Sequence, residues 1–205
     1  MQANSKVDFV IVEKFDNALL SAAAHLHVEH LSYRSFITLF GPKFITEIYR
    51  DILSGNLGFF VFALDGGKVC GFVLGCTNTR LFFSLIKRKP FKYFALVAPR
   101  LMAKPQLFKK LFETLFYVDK ENSAIDPELI VIVTDSEHRG RGIGSTLVSV
   151  LNGEFRKRGI REYKVTVHDE MKRSNSFYLK IGMKLLSSFT MYGTKWNLYR
   201  CKIEQ

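Results

Sequence analysis

The chain has 205 residues, of which 47% are apolar, with a mean hydropathy of +0.04 and a formal net charge of +11. That length suits one domain with a substantial core, and that apolar content excludes a disordered chain. No apolar run reaches the length of a membrane span, and Met1-Gln2-Ala3-Asn4-Ser5-Lys6 leads into no signal-peptide core, so a cytoplasmic protein is expected.

Val7 to Val12 reads as a first strand. Asp16 or Asn17 can cap a helix running through Leu19, Leu20 and Ala23 to about Tyr33. Pro42 fits the first turn of a second helix, through Phe44, Ile45, Ile48 and Tyr49, ending near Gly55. Phe59 to Leu64, the turn Asp65-Gly66-Gly67 and Val69 to Cys76 make a β-hairpin signal. Cys70, Cys76 and Cys201 sit in apolar, strand-like surroundings without C-x-x-C spacing, which points to buried thiols rather than a zinc site or redox pair.

From Thr79 to Asp126, helical pieces are expected to be broken by Pro90, Pro99 and Pro105. Nine cations lie between Arg80 and Lys110 with no acidic residue among them, and Phe82, Phe83, Phe91, Tyr93, Phe94 and Phe108 are interleaved. Leu129 to Thr134 is the next strand, and Ser145 to Arg158 a helix stopped at Gly159. Tyr163 to Val167 is a strand, Arg173 to Ile181 a short helix stopped at Gly182, and strands at about Lys184 to Met191 and Lys195 to Lys202 close the chain around Tyr192-Gly193-Thr194. The order describes an α/β fold: a mixed central sheet flanked by helices, with a basic-aromatic helical insert, 79–126, between the third and fourth strands. The connection from 129–134 through a helix to 163–167 is long enough for a parallel crossover.

The segment Glu128 to Gly144 carries the chemistry. A β-branched strand leads through a polar turn into a loop with Gly140, Gly142 and Gly144, then into a helix. Such a loop directs backbone N–H groups and the positive end of a helix dipole at one small volume, which suits a phosphate or pyrophosphate. Arg139 and Arg141 add charge that can pair with phosphate oxygens. A dinucleotide fingerprint is excluded because Ser145 holds the third glycine position, and a P-loop because Gly-Lys-Ser/Thr is missing.

Arg173 to Lys184, including Phe177-Tyr178-Leu179-Lys180-Ile181-Gly182-Met183, is the second informative block. Together the two blocks resemble the GNAT superfamily of acyl-CoA-dependent N-acyltransferases. Arg139-Gly140-Arg141-Gly142-Ile143-Gly144 matches its Q/R-x-x-G-x-G/A motif, and 177–183 is similar to its F-Y-x-K-x-G-F block. The element order agrees from Val7 to Ile203, so residues 1–205 are expected to form a single domain. The sequence departs from the pattern at Ser136, where a proline is frequent, and at Met171, where many members carry asparagine; Asn175 lies closer to Tyr178. The insert is the largest departure.

The resemblance implies a co-substrate, acetyl-CoA, and no metal. It places the pantetheine arm against the backbone of Ile132, Val133 and Thr134, with the Ile132 N–H polarising the thioester carbonyl. It places the pyrophosphate on Arg139, Gly140, Arg141, Gly142, Ile143, Gly144 and Ser145, with Ser174 and Asn175 also facing the co-substrate. Tyr178 corresponds to the acid that protonates the leaving thiolate, and Glu128 is the candidate base, with His168 and Asp169 as alternatives. Phe40-Gly41-Pro42 corresponds to a loop that often lines the acceptor pocket. His27 and His30 share a helix face with His25 off it, and without a carboxylate or thiol cluster they read as solvated or half-buried helix histidines.

The implied reaction moves an acetyl group directly to a primary amine of a small acceptor, such as a phosphorylated precursor carrying an amino sugar for a surface glycan. The alternatives are a longer acyl group from CoA or from an acidic acyl carrier protein, and a non-catalytic CoA-binding module. The insert has three readings: a charged surface over an aromatic mini-core, a set of Lys/Arg partners for an acceptor phosphate, and a peripheral contact with anionic membrane. No nucleic-acid recognition module is present in the sequence. A homodimer is compatible with it.

Overall fold

In chain order the elements begin with β1 (Asp8–Val12), α1 (Asn17–Leu31), a 3-10 turn (Phe36–Phe40), α2 (Pro42–Ser54), β2 (Gly58–Asp65) and β3 (Lys68–Cys76). The insert follows as α3 (Thr79–Lys87), α4 (Pro90–Ala103) and α5 (Leu107–Leu115). Then come β4 (Glu128–Thr134), a 3-10 turn (Ser136–His138), α6 (Ile143–Lys157), β5 (Glu162–His168), α7 (Lys172–Lys180), β6 (Lys184–Met191) and β7 (Thr194–Lys202). This is a computed structural model, and it describes residues 7–32, 35–117, 121 and 123–204. The expected end of α1 at Tyr33 lies outside the described residues; the helix runs to Leu31.

The strands form a mixed sheet in the order β1-β2-β3-β4-β5-β7-β6, as expected for the α/β arrangement. The chain divides into two compact units, Met1–Cys76 with Ile130–Gly159 and Thr77–Leu129 with Ile160–Gln205.

In the first unit, β1, β2 and β3 pair antiparallel, with Val12 opposite Phe60 and Asp65 opposite Lys68 across the Gly66-Gly67 turn. Phenylalanine fills this unit: Phe59, Phe60, Phe62 and Phe72 are fully buried, and Tyr49 of α2 meets the Phe60 ring at 4.9 Å. Asp16 caps α1 by accepting from Leu19 N at 3.0 Å, and Pro42 opens α2 as its sequence demands. α6 lies close on β3 because Gly75 has no side chain. A Cβ there would stand 2.8 Å from Leu151 Cδ1 and 3.0 Å from Phe155 Cζ.

His27 departs from the expectation of a solvated or half-buried helix histidine. It is buried, and its Nδ1 lies 2.7 Å from Tyr49 Oη. Burial lowers its pKa from 6.5 to about 4, so the folded state keeps it neutral while the unfolded chain binds a proton below 6.5. Its contribution is therefore complete above pH 6.5 and is lost as pH falls toward 4, by up to about 3 kcal/mol. A His27→Gln variant should show a flatter stability profile between those pH values in urea unfolding; an unchanged profile would assign the acid sensitivity elsewhere.

In the second unit, β5 pairs antiparallel with β7 from Glu162 opposite Lys202 to His168 opposite Trp196, and β7 with β6. β4 opens in parallel to β5, with Glu128 opposite Lys164 and the Lys164 N–H bonded to Pro127 O at 3.0 Å. His168 is the last residue of β5 rather than a residue beyond it, because the ladder to β7 continues to Trp196. In the insert, Pro90 and Pro105 fall at helix boundaries, but Pro99 lies inside α4. It costs the bond to the Ala95 carbonyl; the helix continues because Tyr93, Val97 and Leu101 bury one continuous stripe across it. Cys70, Cys76 and Cys201 are buried, and none of them forms a disulfide among the described residues.

Candidate functional site

The glycine loop belongs to the first unit. β4 alternates, with Val131 and Val133 buried and Ile132 and Thr134 half-buried on the other face. Asp135 N then bonds Cys70 O at 2.9 Å, and the 3-10 turn Ser136–His138 leads to Arg139. Gly140 (φ 80°) and Gly142 (φ 79°) are left-handed, and a Cβ on either would meet no atom within 4 Å, so the loop borders open space. α6 begins at Ile143, two residues before the expected start at Ser145, because left-handed Gly142 ends the loop and the Ile143 side chain is buried. Gly144 and Ser145 therefore lie within the first helical turn. Among the described residues no side chain caps this helix, which leaves its first-turn N–H groups without a side-chain acceptor.

Charged side chains tie the loop to its surroundings. His138 Nε2 lies 3.1 Å from Asp65 Oδ2 in the hairpin turn, and its Nδ1 lies 3.3 Å from Asp135 Oδ2. His30 of α1 stands 3.4 Å from Asp135 Oδ1, and Arg141 Nη1 3.5 Å from Asp65 Oδ2. Arg139 Nε donates to Thr134 O at 3.1 Å. Burial favours the neutral Asp135 carboxyl, but hydrogen bonds from His138 and Ser136 and the charge on His30 hold it below the ordinary carboxylate range. Asp65, Asp135, His138 and His30 were not singled out for this role in the sequence. Their pattern there is scattered, and only the fold assembles it.

Glu128, Tyr178, Ser174 and Asn175 belong to the second unit. Glu128 is buried, and its Oε1 accepts from the Tyr117 hydroxyl at 2.8 Å. Tyr117 Oη also lies 2.5 Å from Thr166 Oγ1. Lys164, fully buried on β5, pairs with Glu121 and lies 4.0 Å from Glu128 Oε2. Among the described residues Glu128 Oε2 has no hydrogen-bond partner. Burial raises the Glu128 pKa to about 7 against the pull of Lys164, and burial likewise raises Glu121. Two carboxylates and one ammonium thus share a closed environment, where full ionisation leaves one negative charge uncompensated. Sequence reasoning missed Lys164, Glu121 and Tyr117. β5 alternates, with Tyr163, Val165 and Val167 on one face and Glu162, Lys164 and Thr166 on the other, so in the sequence Lys164 reads as part of a solvated polar face and its burial carries no local signal.

Tyr178 is buried on α7, and burial pushes its hydroxyl well above the ordinary phenol range, so it stays protonated. Its ring lies 6.0 Å from that of Tyr199. Ser174, four residues before Tyr178 on the same helix, is half-buried. The Asn175 amide is heavily used inside the fold. Its Nδ2 donates to the carbonyls of His168 (3.0 Å) and Met171 (2.9 Å), and its Oδ1 accepts from Asn197 Nδ2 (3.0 Å) and Tyr199 Oη (2.8 Å). This fixes the β5–α7 turn against β7. Asp169 is held below the ordinary carboxylate range by the hydrogen bond from Asn197 and then by Lys172. His168 Nδ1 accepts from Glu170 N at 3.2 Å. Among the described residues no His/Cys/Asp/Glu group is arranged to hold a metal ion.

The model of the acetyltransferase (GNAT) family matches residues 26–183. No curated protein sequence is significantly similar to the chain. Among solved structures, the N-acetyltransferase from Staphylococcus aureus Mu50 is 14% identical, with 98% of this chain and 100% of that chain covered and a TM-score of 0.61. The ribosomal-protein-S18-alanine N-acetyltransferase from Escherichia coli is 12% identical, with 97% and 96% covered and a TM-score of 0.58. An acetyltransferase from Thermus thermophilus is 11% identical, with 96% and 97% covered and a TM-score of 0.58. At these identities the likeness concerns the fold; the match over 26–183 carries the assignment. The chain belongs to the GNAT family of acetyltransferases.

Proposed function

We propose that the protein transfers an acetyl group from acetyl-CoA to a primary amine of a small acceptor, directly within a ternary complex. The observation that carries this reading is the uncapped start of α6 behind left-handed Gly140 and Gly142, open to an anion and flanked by exposed Arg139 and Arg141. Arg139, Gly140, Arg141, Gly142, Ile143, Gly144 and Ser145 would hold the pyrophosphate, and the backbone of Ile132, Val133 and Thr134 the pantetheine amides. Acetyl-CoA supplies an activated acyl group as a thioester.

Attack forms the N–C bond and breaks the C–S bond, so one proton must leave the amine and one must reach the departing sulfur. Tyr178, kept protonated by burial, suits the second task. Glu128, with its pKa near 7, suits the first, because a base poised near neutrality takes and releases protons readily. Its carboxylate is sealed from direct approach, and the Thr166–Tyr117–Glu128 hydrogen bonds supply a route for exchange with half-buried Thr166. Asn175 acts as a positioning residue for α7.

For the acceptor we propose an amino sugar of a phosphorylated surface-glycan precursor, with Lys/Arg of the insert as phosphate partners. Screening amino-sugar phosphates, polyamines and peptides for thiol release from acetyl-CoA tests this; turnover confined to polyamines or peptides would overturn the acceptor assignment. In the same assay Tyr178→Phe should lower kcat about 100-fold with the Kd for CoA unchanged. A variant with undiminished kcat would remove Tyr178 from the chemistry.

A further inference from the structure

α4 is apolar on two faces, and among the described residues only one of them is covered. Tyr93, Val97 and Leu101 form the buried stripe. Phe91, Phe94, Ala95, Ala98 and Met102 form a second stripe roughly a third of a turn around the helix. It faces outward: Phe91 is 88% exposed, Met102 82% and Phe94 58%. α5 repeats the arrangement, with Leu107 buried while Phe108 and Phe112, one turn apart, are 52% and 63% exposed. Single exposed apolar residues are ordinary on a protein surface, but two consecutive helices that each carry an exposed apolar stripe are not.

The charge around the stripes selects what covers them. Lys87, Arg88, Arg100, Lys104, Lys109 and Lys110 are exposed, and no acidic residue occurs from Arg80 to Lys110. A second copy of the chain would bring the same positive charge to the contact. Protein interfaces favour arginine and disfavour lysine, whereas six of the nine cations in this segment are lysines. Lysine needs no planar, bidentate partner and is drawn to the diffuse negative potential of an anionic bilayer, while phenylalanine and methionine settle at the headgroup–acyl boundary. α4 has 14 residues, and among the described residues no helix is long and apolar enough to cross a membrane, so these helices would lie in the plane of the surface.

We propose that α4 and α5 dock the protein on an anionic phospholipid surface, with Phe91, Phe94, Met102, Phe108 and Phe112 among the headgroups and the flanking lysines against lipid phosphates. The full chain, sedimented with vesicles of phosphatidylcholine containing about 30 mol% phosphatidylglycerol, is expected to bind at least roughly tenfold more than with phosphatidylcholine alone, and less at high salt. Phe91→Ser/Phe112→Ser and, separately, Lys109→Glu/Lys110→Glu should each lose at least about tenfold in partitioning. Both pairs alter exposed side chains, and unchanged near-UV circular dichroism would establish that each variant is folded.

Absence of binding by the native chain, equal binding to neutral vesicles, or retained binding in both folded variants would overturn the proposal. So would self-association without lipid that the Phe91→Ser/Phe112→Ser variant abolishes, which would make the face a homodimer surface. A stoichiometric complex with an acidic acyl carrier protein that anionic vesicles fail to displace would overturn it equally.

Discussion

Lys164→Met is expected to lower the unfolding free energy by about 3–5 kcal/mol, because it leaves two buried carboxyl groups without their cation. The loss should depend on pH in a set direction. Burial already raises Glu121 and Glu128, and removing the ammonium raises both further, so the variant depends on keeping them protonated. Its deficit should therefore be larger at pH 8 than at pH 6 in urea unfolding. Adding Glu121→Gln should recover part of the loss, since it removes one of the two stranded charges. A Lys164→Met protein within about 1 kcal/mol of the native chain at both pH values would mean that the three groups are not energetically coupled.

Glu128→Gln is expected to lower kcat/KM by about 100-fold or more and to abolish an acid limb centred near pH 7. In the native chain the carboxyl is protonated below about 7 and cannot accept the amine's proton, so activity should rise through that pH. Stability should move the other way. A carboxyl whose folded pKa is raised contributes fully below its ordinary value of 4.5, and that contribution is lost as pH rises through about 7. Tyr117→Phe separates position from charge. It removes the 2.8 Å hydrogen bond that favours the carboxylate while leaving Glu128 in place, and should shift the limb upward. Persistence of the limb in Glu128→Gln would assign the base elsewhere, with His168 next to be tested.

Much of the fold was legible because its signals are local. Asp16 as a cap, Pro42 at a helix start, the Gly66-Gly67 turn and the β-branched run of β4 each act within a few residues. Pro99 misled because a burial stripe spanning α4 outweighs one lost backbone bond. The start of α6 was misplaced because Gly144 reads in sequence as a continuation of the loop, although Gly140 and Gly142 have positive φ and Gly144 does not. The loop and Tyr178 could be singled out from contiguous residues. The partners of Glu128 could not: Tyr117 and Glu121 come from an insert whose role the sequence leaves open, and Lys164 from the middle of a distant strand. His27 escaped for a similar reason, since Tyr49 lies 22 positions along the chain.

The close seat of α6 on β3 limits how far the glycine loop can be treated as a portable part. Residues 128–144 carry the recognisable motif, but the room for the helix behind it is made by Gly75, more than fifty positions earlier. A graft of the loop and helix onto a sheet with leucine at that place would begin with an overlap against Leu151 and Phe155. The helix would ride higher, and its N–H groups would point somewhere other than the intended anion. The transplantable unit is the hairpin together with the helix, and an engineer who copied only the motif would inherit its spelling without its aim.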